Sequence, residues 1–232
     1  NADQTVFFFI FLVILKSIIK EERKIYMPVA FNNSETKENL MRAFAGESQA
    51  RNRYTFAAYQ ARKNGLIVIE SAFNFTANQE REHAEVFYKH LSEFAGQTIA
   101  IDGTYPVDLS KDVVQLLRYA QHNEFEEHDD VYKNFEEKAR EEGFPKIAAS
   151  FHMIGEIEKI HGERFGLFAD LLEQNKLFVS DVETSWMCLA CGHIYSGTSV
   201  PEKCPVCGHD KGYFVRLELA PYTCSTCMCP GK

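Results

Sequence analysis

Two four-residue signatures, Glu80-Arg81-Glu82-His83 and Glu158-Lys159-Ile160-His161, recur at a separation of 78 positions. On a helix, a carboxylate and an imidazole three residues apart project from the same face. Both pairs sit in apolar surroundings stepped by three and four: Ile69, Phe73, Thr76 and Phe87 around the first, and Ile147, Phe151, Ile154, Phe165, Phe168 and Leu172 around the second. Each pair therefore lies on the seam of a core-facing helix. A carboxylate left charged and unpaired there would cost several kcal/mol, on the order given by burial of an unpartnered ion. A bound metal ion supplies the missing counter-charge.

The rest of the pattern gives four helices. The first is expected to start at Ser34 or Thr36, either able to cap it, and to end at Gly65, with the seam Ala43, Glu47, Ala50, Tyr54, Ala57, Ala61. The second runs from about Leu66 to Ala95. Residues 96–109 carry Gly103, Pro106 and several β-formers, a stretch long enough to cross the length of a bundle. Ser110 is expected to cap the third helix, with Asp112 in its first turn and the seam Val113, Leu117, Ala120, Glu124, Glu127, Val131, Phe135. Gly143 ends it, and Pro145 suits the first turn of a fourth helix reaching about Gln174.

The two helix pairs read as repeats. A shift of 78 carries Tyr54 onto Tyr132, Ala61-Arg62 onto Ala139-Arg140, Gly65 onto Gly143, Glu80 onto Glu158 and His83 onto His161. Glu47 alone misses, landing on Phe125 rather than Glu124. One extra residue between Glu124 and Tyr132, absorbed as a π-bulge, would return Tyr132 to the centre.

The inward polar groups are Glu47, Glu80, Glu124, Glu127, Glu158, His83 and His161. Five carboxylates with two imidazoles form a donor set for a pair of iron or manganese ions. Any one of these glutamates alone would read as a solvated helix face; five of them with two histidines on four seams do not. His90 reads as a polar end of the bundle, and His122, His152, His193 and His209 have no partner at ligand spacing. Tyr54 and Tyr132 are either plain core aromatics or hydrogen-bond partners of the carboxylates.

Length allows one domain of about 150 residues and a small second one. The charged fraction of 25% and hydrophobic fraction of 45% are those of a soluble globular chain, and a net charge of -8 argues against nucleic-acid binding. All seven cysteines fall between Cys188 and Cys229, which reads as metal binding in a reducing compartment rather than a disulfide framework. Cys188-x-x-Cys191 and Cys204-x-x-Cys207 are two knuckles separated by twelve residues, spaced to converge on one ion, with Trp186, Tyr195 and Phe214 as core candidates. A zinc ribbon has the same spacing; iron is favoured because a dimetal site working with oxygen species needs electrons one at a time. Cys224, Cys227 and Cys229 lie in a segment too short to fold alone.

The division expected is an apolar leader and linker over 1–33, the bundle over 34–176, the four-cysteine domain over 177–219 and a tail over 220–232. The run Val6 to Leu15 is short for a membrane span and lacks a basic front, although Lys16, Lys20, Arg23 and Lys24 follow it. It is expected to be a leader outside the fold, with Met27 as the natural start; a tilted anchor over 6–19 or an extra packed helix are the alternatives.

Glu47 within Ala45-Gly46-Glu47-Ser48-Gln49-Ala50-Arg51, the run Asn78 to His83, the Glu124/Glu127 pair, Glu158 with His161, and the terminal four-cysteine domain together resemble the rubrerythrin family over residues 34 to 219. The resemblance implies an all-α ferritin-like four-helix bundle with a long crossover, holding a non-haem di-iron centre, plus a small β-rich rubredoxin-like domain holding one iron. By matching position it implies Glu47, Glu80, His83, Glu124, Glu127, Glu158 and His161 as di-iron ligands, and Cys188, Cys191, Cys204 and Cys207 as ligands of the single iron. It implies a peroxidase that reduces hydrogen peroxide to water in oxidative-stress defence, fed by an external reductase or rubredoxin. The expected setting is a cytoplasmic head-to-tail homodimer or larger homo-oligomer. Glu127 and His83 are expected to exchange as ligands to one iron when the redox state changes, with Tyr54 and Tyr132 assisting proton delivery. A ferroxidase or iron-buffering protein is the alternative, and a zinc-holding four-cysteine module a further one. His128 departs from the family, where tryptophan is common; the apolar leader and three-cysteine tail are also outside its core.

Overall fold

The computed structural model of the chain describes residues 29–222; the apolar run, Met27 and Cys224, Cys227 and Cys229 lie outside the described residues. Helix α1 spans Glu35–Lys63, α2 Ile67–His90, α3 Val113–Glu126, α4 Tyr132–Glu141 and α5 Pro145–Glu173. A π turn over Glu127–Val131 joins α3 to α4, so the two form one long third helix with the bulge where the repeat mismatch required it.

The helix ends follow from local chemistry. Ser34 is extended and its Oγ accepts the Lys37 amide at 3.1 Å. Thr36 is instead inside α1, where the Glu142 carboxylate receives its amide at 2.8 Å and its hydroxyl at 2.6 Å. At the other end, Gly65 at φ +71° lets the Leu66 amide reach back to the Ala61 carbonyl at 3.0 Å. The α4–α5 corner repeats this closure with Gly143 at φ +88° and Phe144 bonded to Ala139 at 2.8 Å. Pro145 opens α5 as expected.

Two boundaries differ from the sequence reading. Helix α2 stops at His90 rather than Ala95, because the chain tightens into a 3-10 turn over Ser92–Phe94 that buries Leu91 and packs Phe94 on Phe31 at 5.5 Å. Asp112, not Ser110, caps α3: its Oδ1 accepts the Val114 amide at 2.9 Å, and Ser110 Oγ shapes the preceding turn by accepting the Asp112 amide at 3.0 Å.

At 29 residues, α1 and α5 are each about 44 Å long. Two apolar layers divide that length. One holds Tyr54, Phe73, Leu117 and Phe165; the other holds Leu40, Phe87, Tyr132 and Phe151. Their aromatic clusters correspond under the 78-residue shift. Phe165 meets Tyr54 and Phe73 at 5.0 Å each, and Phe87 meets Tyr132 at 5.4 Å and Phe151 at 5.1 Å. Each fully buried phenylalanine contributes about 1.5–3 kcal/mol, and together they clamp the charged residues that lie between the layers. Residues 95–112 cross the bundle between α2 and α3 without regular structure.

Beyond α5, β1 (Val179–Cys188), β2 (Ile194–Ser199) and β3 (Phe214–Arg216) form an antiparallel sheet in the order β2-β1-β3. Trp186 and Phe214 are fully buried, Tyr195 packs partly buried against them, and Trp186 Nε1 donates to the Gly197 carbonyl at 3.0 Å. Leu177 and Val215 join the bundle's apolar layer beside Val68 and Ala61, seating this unit on the α1–α2 corner. Among the described residues no helix is long and apolar enough to cross a membrane.

Candidate metal centres

Six of the seven inward residues meet between the aromatic layers as two half-sites. One holds Glu47, Glu80, His83 and Glu158; the other holds Glu80, Glu124, Glu158 and His161; in each, the candidate ligand atoms lie within 4.8 Å of one another. Glu80 and Glu158 belong to both, one oxygen apiece. His83 Nδ1 is 3.1 Å from Glu80 Oε2 and 2.9 Å from Glu158 Oε1, while His161 Nδ1 is 2.9 Å from Glu80 Oε1 and 2.8 Å from Glu158 Oε2. The helical i, i+3 spacing of each Glu-x-x-His pair brings its own two groups together. Packing α2 against α5 brings the pairs together, with the imidazole rings nearly parallel at 5.5 Å.

Glu47 and Glu124 complete the half-sites from α1 and α3, and each is fixed by a tyrosine of the opposite helix pair. The Tyr132 hydroxyl donates to Glu47 Oε1 and the Tyr54 hydroxyl to Glu124 Oε1. The tyrosines therefore act as hydrogen-bond partners of the carboxylates as well as core aromatics.

The donor set fits metal ions. Glu47 Oε2, Glu80 Oε1, Glu124 Oε2, both Glu158 oxygens and both His161 ring nitrogens are buried without a hydrogen-bond partner, although such groups are normally paired. Several stand within 2.9 Å of one another, as His161 Nδ1 does from Glu80 Oε1 and Glu158 Oε2, yet without hydrogen-bond angles, as ligand atoms aimed at a shared centre do. Charge tells the same story. Burial first, then Glu158 and Glu80, push the Glu47 pKa well above the carboxylate range; burial and Glu80 do so for Glu124, and burial and Glu124 for Glu127. Burial also pushes Glu80 up, but the adjacent imidazoles of His161 and His83 outweigh it and bring Glu80 to about 2. Burial opposes the charged imidazoles, yet Glu158 and Glu80 hold His83 at about 9, and Glu124, Glu158 and Glu80 hold His161 at about 12. Without metal the cluster therefore retains protons that two cations would displace.

Glu127 stands apart. It lies on the π turn, partly exposed, and lines a cavity of about 620 Å³ between α1, the crossover and the third helix. It belongs to neither half-site, whereas His83 is already among Glu47, Glu80 and Glu158. His128, on the same turn, pairs with Asp129 at 2.7 Å and Glu156 at 3.5 Å, directed away from both half-sites. His90 bonds Ser150 at 2.9 Å, consistent with a polar bundle end.

The second centre gathers Cys188, Cys191, Cys204 and Cys207. Its knuckles are near copies. The Gly192 amide bonds the Cys188 carbonyl at 2.8 Å, the Gly208 amide bonds Cys204 at 2.9 Å, and both glycines take φ near +75°. Sγ–Sγ separations of 3.7 Å for Cys188–Cys207 and Cys191–Cys204 match the edge of about 3.8 Å of a tetrahedron with bonds of about 2.3 Å. Burial pushes the Cys204 thiol up, but the amides of Cys207 and Val206 outweigh it and bring it to about 7. His209, given no partner by sequence spacing, has Nδ1 3.4 Å from Cys207 Sγ.

Sequence reasoning also missed Arg53. It pairs with Asp108 of the crossover at 2.5 Å, and Asp108 accepts from Asn123 Nδ2 at 2.7 Å. The only sequence signal was an arginine directly before a seam tyrosine; its partner is 55 residues away.

The Rubrerythrin family model matches residues 38–168, and the model for "Rubrerythrin, rubredoxin-like domain" matches residues 186–215. The rubrerythrin of Clostridium perfringens is 42% identical over 186 residues, 80% of this chain and 95% of that one. Nigerythrin, solved in a mixed-valence state, superposes with a TM-score of 0.53 at 29% identity, covering 84% of this chain and 94% of the other. The bacterioferritin of Desulfovibrio desulfuricans superposes at 0.54 with 21% identity over 61% of this chain and 82% of its own, a likeness of fold alone. With the carboxylate–histidine half-sites suited to two iron ions and the four-cysteine cage to a third, this chain belongs to the rubrerythrin family.

Proposed function

We propose that the protein is a non-haem di-iron peroxidase of the cytoplasm, reducing hydrogen peroxide to two waters with two electrons and two protons. The observation that carries this reading is the asymmetry of the half-sites: an extra carboxylate, Glu127, stands on a π turn beside an open cavity, with no counterpart on α1. A symmetric ferritin-type site needs no such group.

Glu47, Glu80, His83, Glu124, Glu158 and His161 would hold the iron pair, with Glu127 and His83 exchanging at one ion, and Cys188, Cys191, Cys204 and Cys207 would hold the single iron. When bound, the iron pair supplies the electrons that break the O–O bond. The protein's own part is positioning and proton supply. Glu80 and Glu158 fix the separation of the two centres by sharing their oxygens. Burial, then Glu124 beside Tyr54 and Glu47 beside Tyr132, push both phenols well above their usual range, so they stay protonated and keep Glu124 and Glu47 in place. Glu127 faces the cavity, where solvent can return protons to it. The flanking aromatic layers keep bulk water from the centre.

Glu80 lies 13 residues, about 20 Å of helix, beyond Ile67 at the corner on which the cysteine unit is seated. That span favours electron delivery from the cysteine cage of a second copy, in a head-to-tail dimer or larger assembly recharged by an external reductase or rubredoxin. Stopped-flow mixing of the anaerobic reduced protein with peroxide or with dioxygen tests the proposal. Faster oxidation by peroxide, slowed by Glu127→Ala with iron content retained, is the expected result. Faster oxidation by dioxygen would favour the ferroxidase alternative.

A further inference from the structure

We infer that the cavity beside Glu127 admits compact, uncharged organic hydroperoxides, which the protein reduces to an alcohol and water; the inference rests on the peroxidase reading and names a substrate class for it. The cavity measures about 620 Å³. Hydrogen peroxide needs about 60 Å³, twice the ~30 Å³ of liquid that a water occupies, whereas sites for small organic molecules run to about 300–1,000 Å³. The lining is graded. Its buried side is Ala43, Val131, Tyr132 and Phe135, all within one apolar layer, and the Tyr132 hydroxyl donates to Glu47 of the metal cluster. Space is kept by Gly46, in the middle of α1, where glycine weakens a helix. A Cβ there would meet only the Tyr105 ring, at 3.8 Å, so a longer side chain would enter the cavity.

The rim carries Arg42, Asp102, Glu126 and Asp130. Arg42 is already engaged, with Nη2 2.7 Å from Asp102 Oδ1 and 3.2 Å from Glu38 Oε2 and with Nη1 donating to Asn39 Oδ1 at 2.7 Å. With Glu127 behind it, this acidic rim repels carboxylates, which disfavours fatty-acid hydroperoxides. A neutral hydroperoxide lays its organic group against Val131 and Phe135 and its O–O–H toward Glu127. Two electrons from the reduced iron pair and two protons returned through Glu127 break the O–O bond. One oxygen leaves in the alcohol and the other in water, and the external reductant restores the electrons.

The test is stopped-flow oxidation of the anaerobic, reduced, iron-loaded protein by three peroxides. Cumene hydroperoxide should react within about tenfold of hydrogen peroxide, and the anionic hydroperoxide of linoleic acid at least about tenfold more slowly than cumene hydroperoxide. Gly46→Leu should slow cumene hydroperoxide about tenfold, the order carried by excluding roughly two methylene groups from an apolar wall, and leave hydrogen peroxide within about twofold. Calorimetric titration with cumyl alcohol, the product, should show its binding weakened about tenfold by the same variant. Asp130→Lys, at an exposed position, should narrow the gap between linoleic acid and cumene hydroperoxides about tenfold. Equal slowing of hydrogen peroxide and cumene hydroperoxide by Gly46→Leu, unchanged binding of cumyl alcohol, or an unchanged gap in Asp130→Lys would overturn the inference. The peroxidase reading fails separately, if hydrogen peroxide itself reacts more slowly than dioxygen.

Discussion

Deleting one residue from the π turn should be tolerated, whereas deleting one just after it should not. Glu47 and Tyr54 are separated by seven positions, and Glu124 and Tyr132 by eight. In an uninterrupted α-helix the extra residue would rotate Tyr132 by about 100°, carrying its hydroxyl about 8 Å around a helix of 5–6 Å radius. The π turn over Glu127–Val131 absorbs that residue, so Tyr132 reaches Glu47 as Tyr54 reaches Glu124. Removal of Glu127 restores the seven-residue spacing and lets the ladder run on as α-helix. The expected change in stability is within about 1 kcal/mol, the scale of one or two exposed hydrogen bonds. Removal of Lys133 retains the bulge but turns the rest of α4, taking Phe135 away from Phe151 at 5.5 Å and lifting Ala139 out of a fully buried position. Loss of the contacts of the half-buried Phe135 alone should cost about 1.5–3 kcal/mol. Thermal melts followed by circular dichroism, with iron content per chain, compare the two. Equal destabilisation by both deletions would refute the idea that the bulge exists to absorb one residue.

Because Glu80 and Glu158 each serve both half-sites, Glu158→Ala should lower the iron content of the bundle by two ions per chain, and Glu124→Ala by about one, measured by elemental analysis with the cysteine site as internal standard. Tyr54→Phe and Tyr132→Phe should each destabilise the bundle by about 1–3 kcal/mol, similarly for the two, in chemical denaturation. The iron-free protein should lose stability as pH rises. Glu47, Glu124 and Glu127, with pKa values raised in the fold, stabilise most at low pH and begin to lose that contribution above about 4.5. His83 and His161 contribute fully below about 6.5 and lose it as pH passes their folded values of about 9 and about 12. Glu80, depressed to about 2, acts oppositely only in strong acid. Melting temperatures between pH 5 and 9 should therefore fall without iron and stay nearly level with it; a rise without iron would contradict the assigned proton affinities.

The sequence by itself determined the parts of this protein that depend on period and spacing. Helical steps of three and four put Glu47, Glu80, His83, Glu124, Glu158 and His161 on inward seams, and the one failed match of the 78-residue repeat located the bulge, because helix phase is a local property readable one residue at a time. Paired Cys-x-x-Cys knuckles are equally local. Tertiary structure decided what depends on distance between helices. Only packing could show that Glu80 and Glu158 divide their oxygens between two centres, or that each tyrosine secures a carboxylate of the opposite pair. It alone showed Asp108 returning from the crossover to hold Arg53 and Glu142, at the end of α4, capping α1. The same holds for Glu127: its seam position said inward, but the wider π turn set it at the cavity wall and left His83 in the cluster. Those contacts join residues with no periodic relation, so they exist only once the chain has folded.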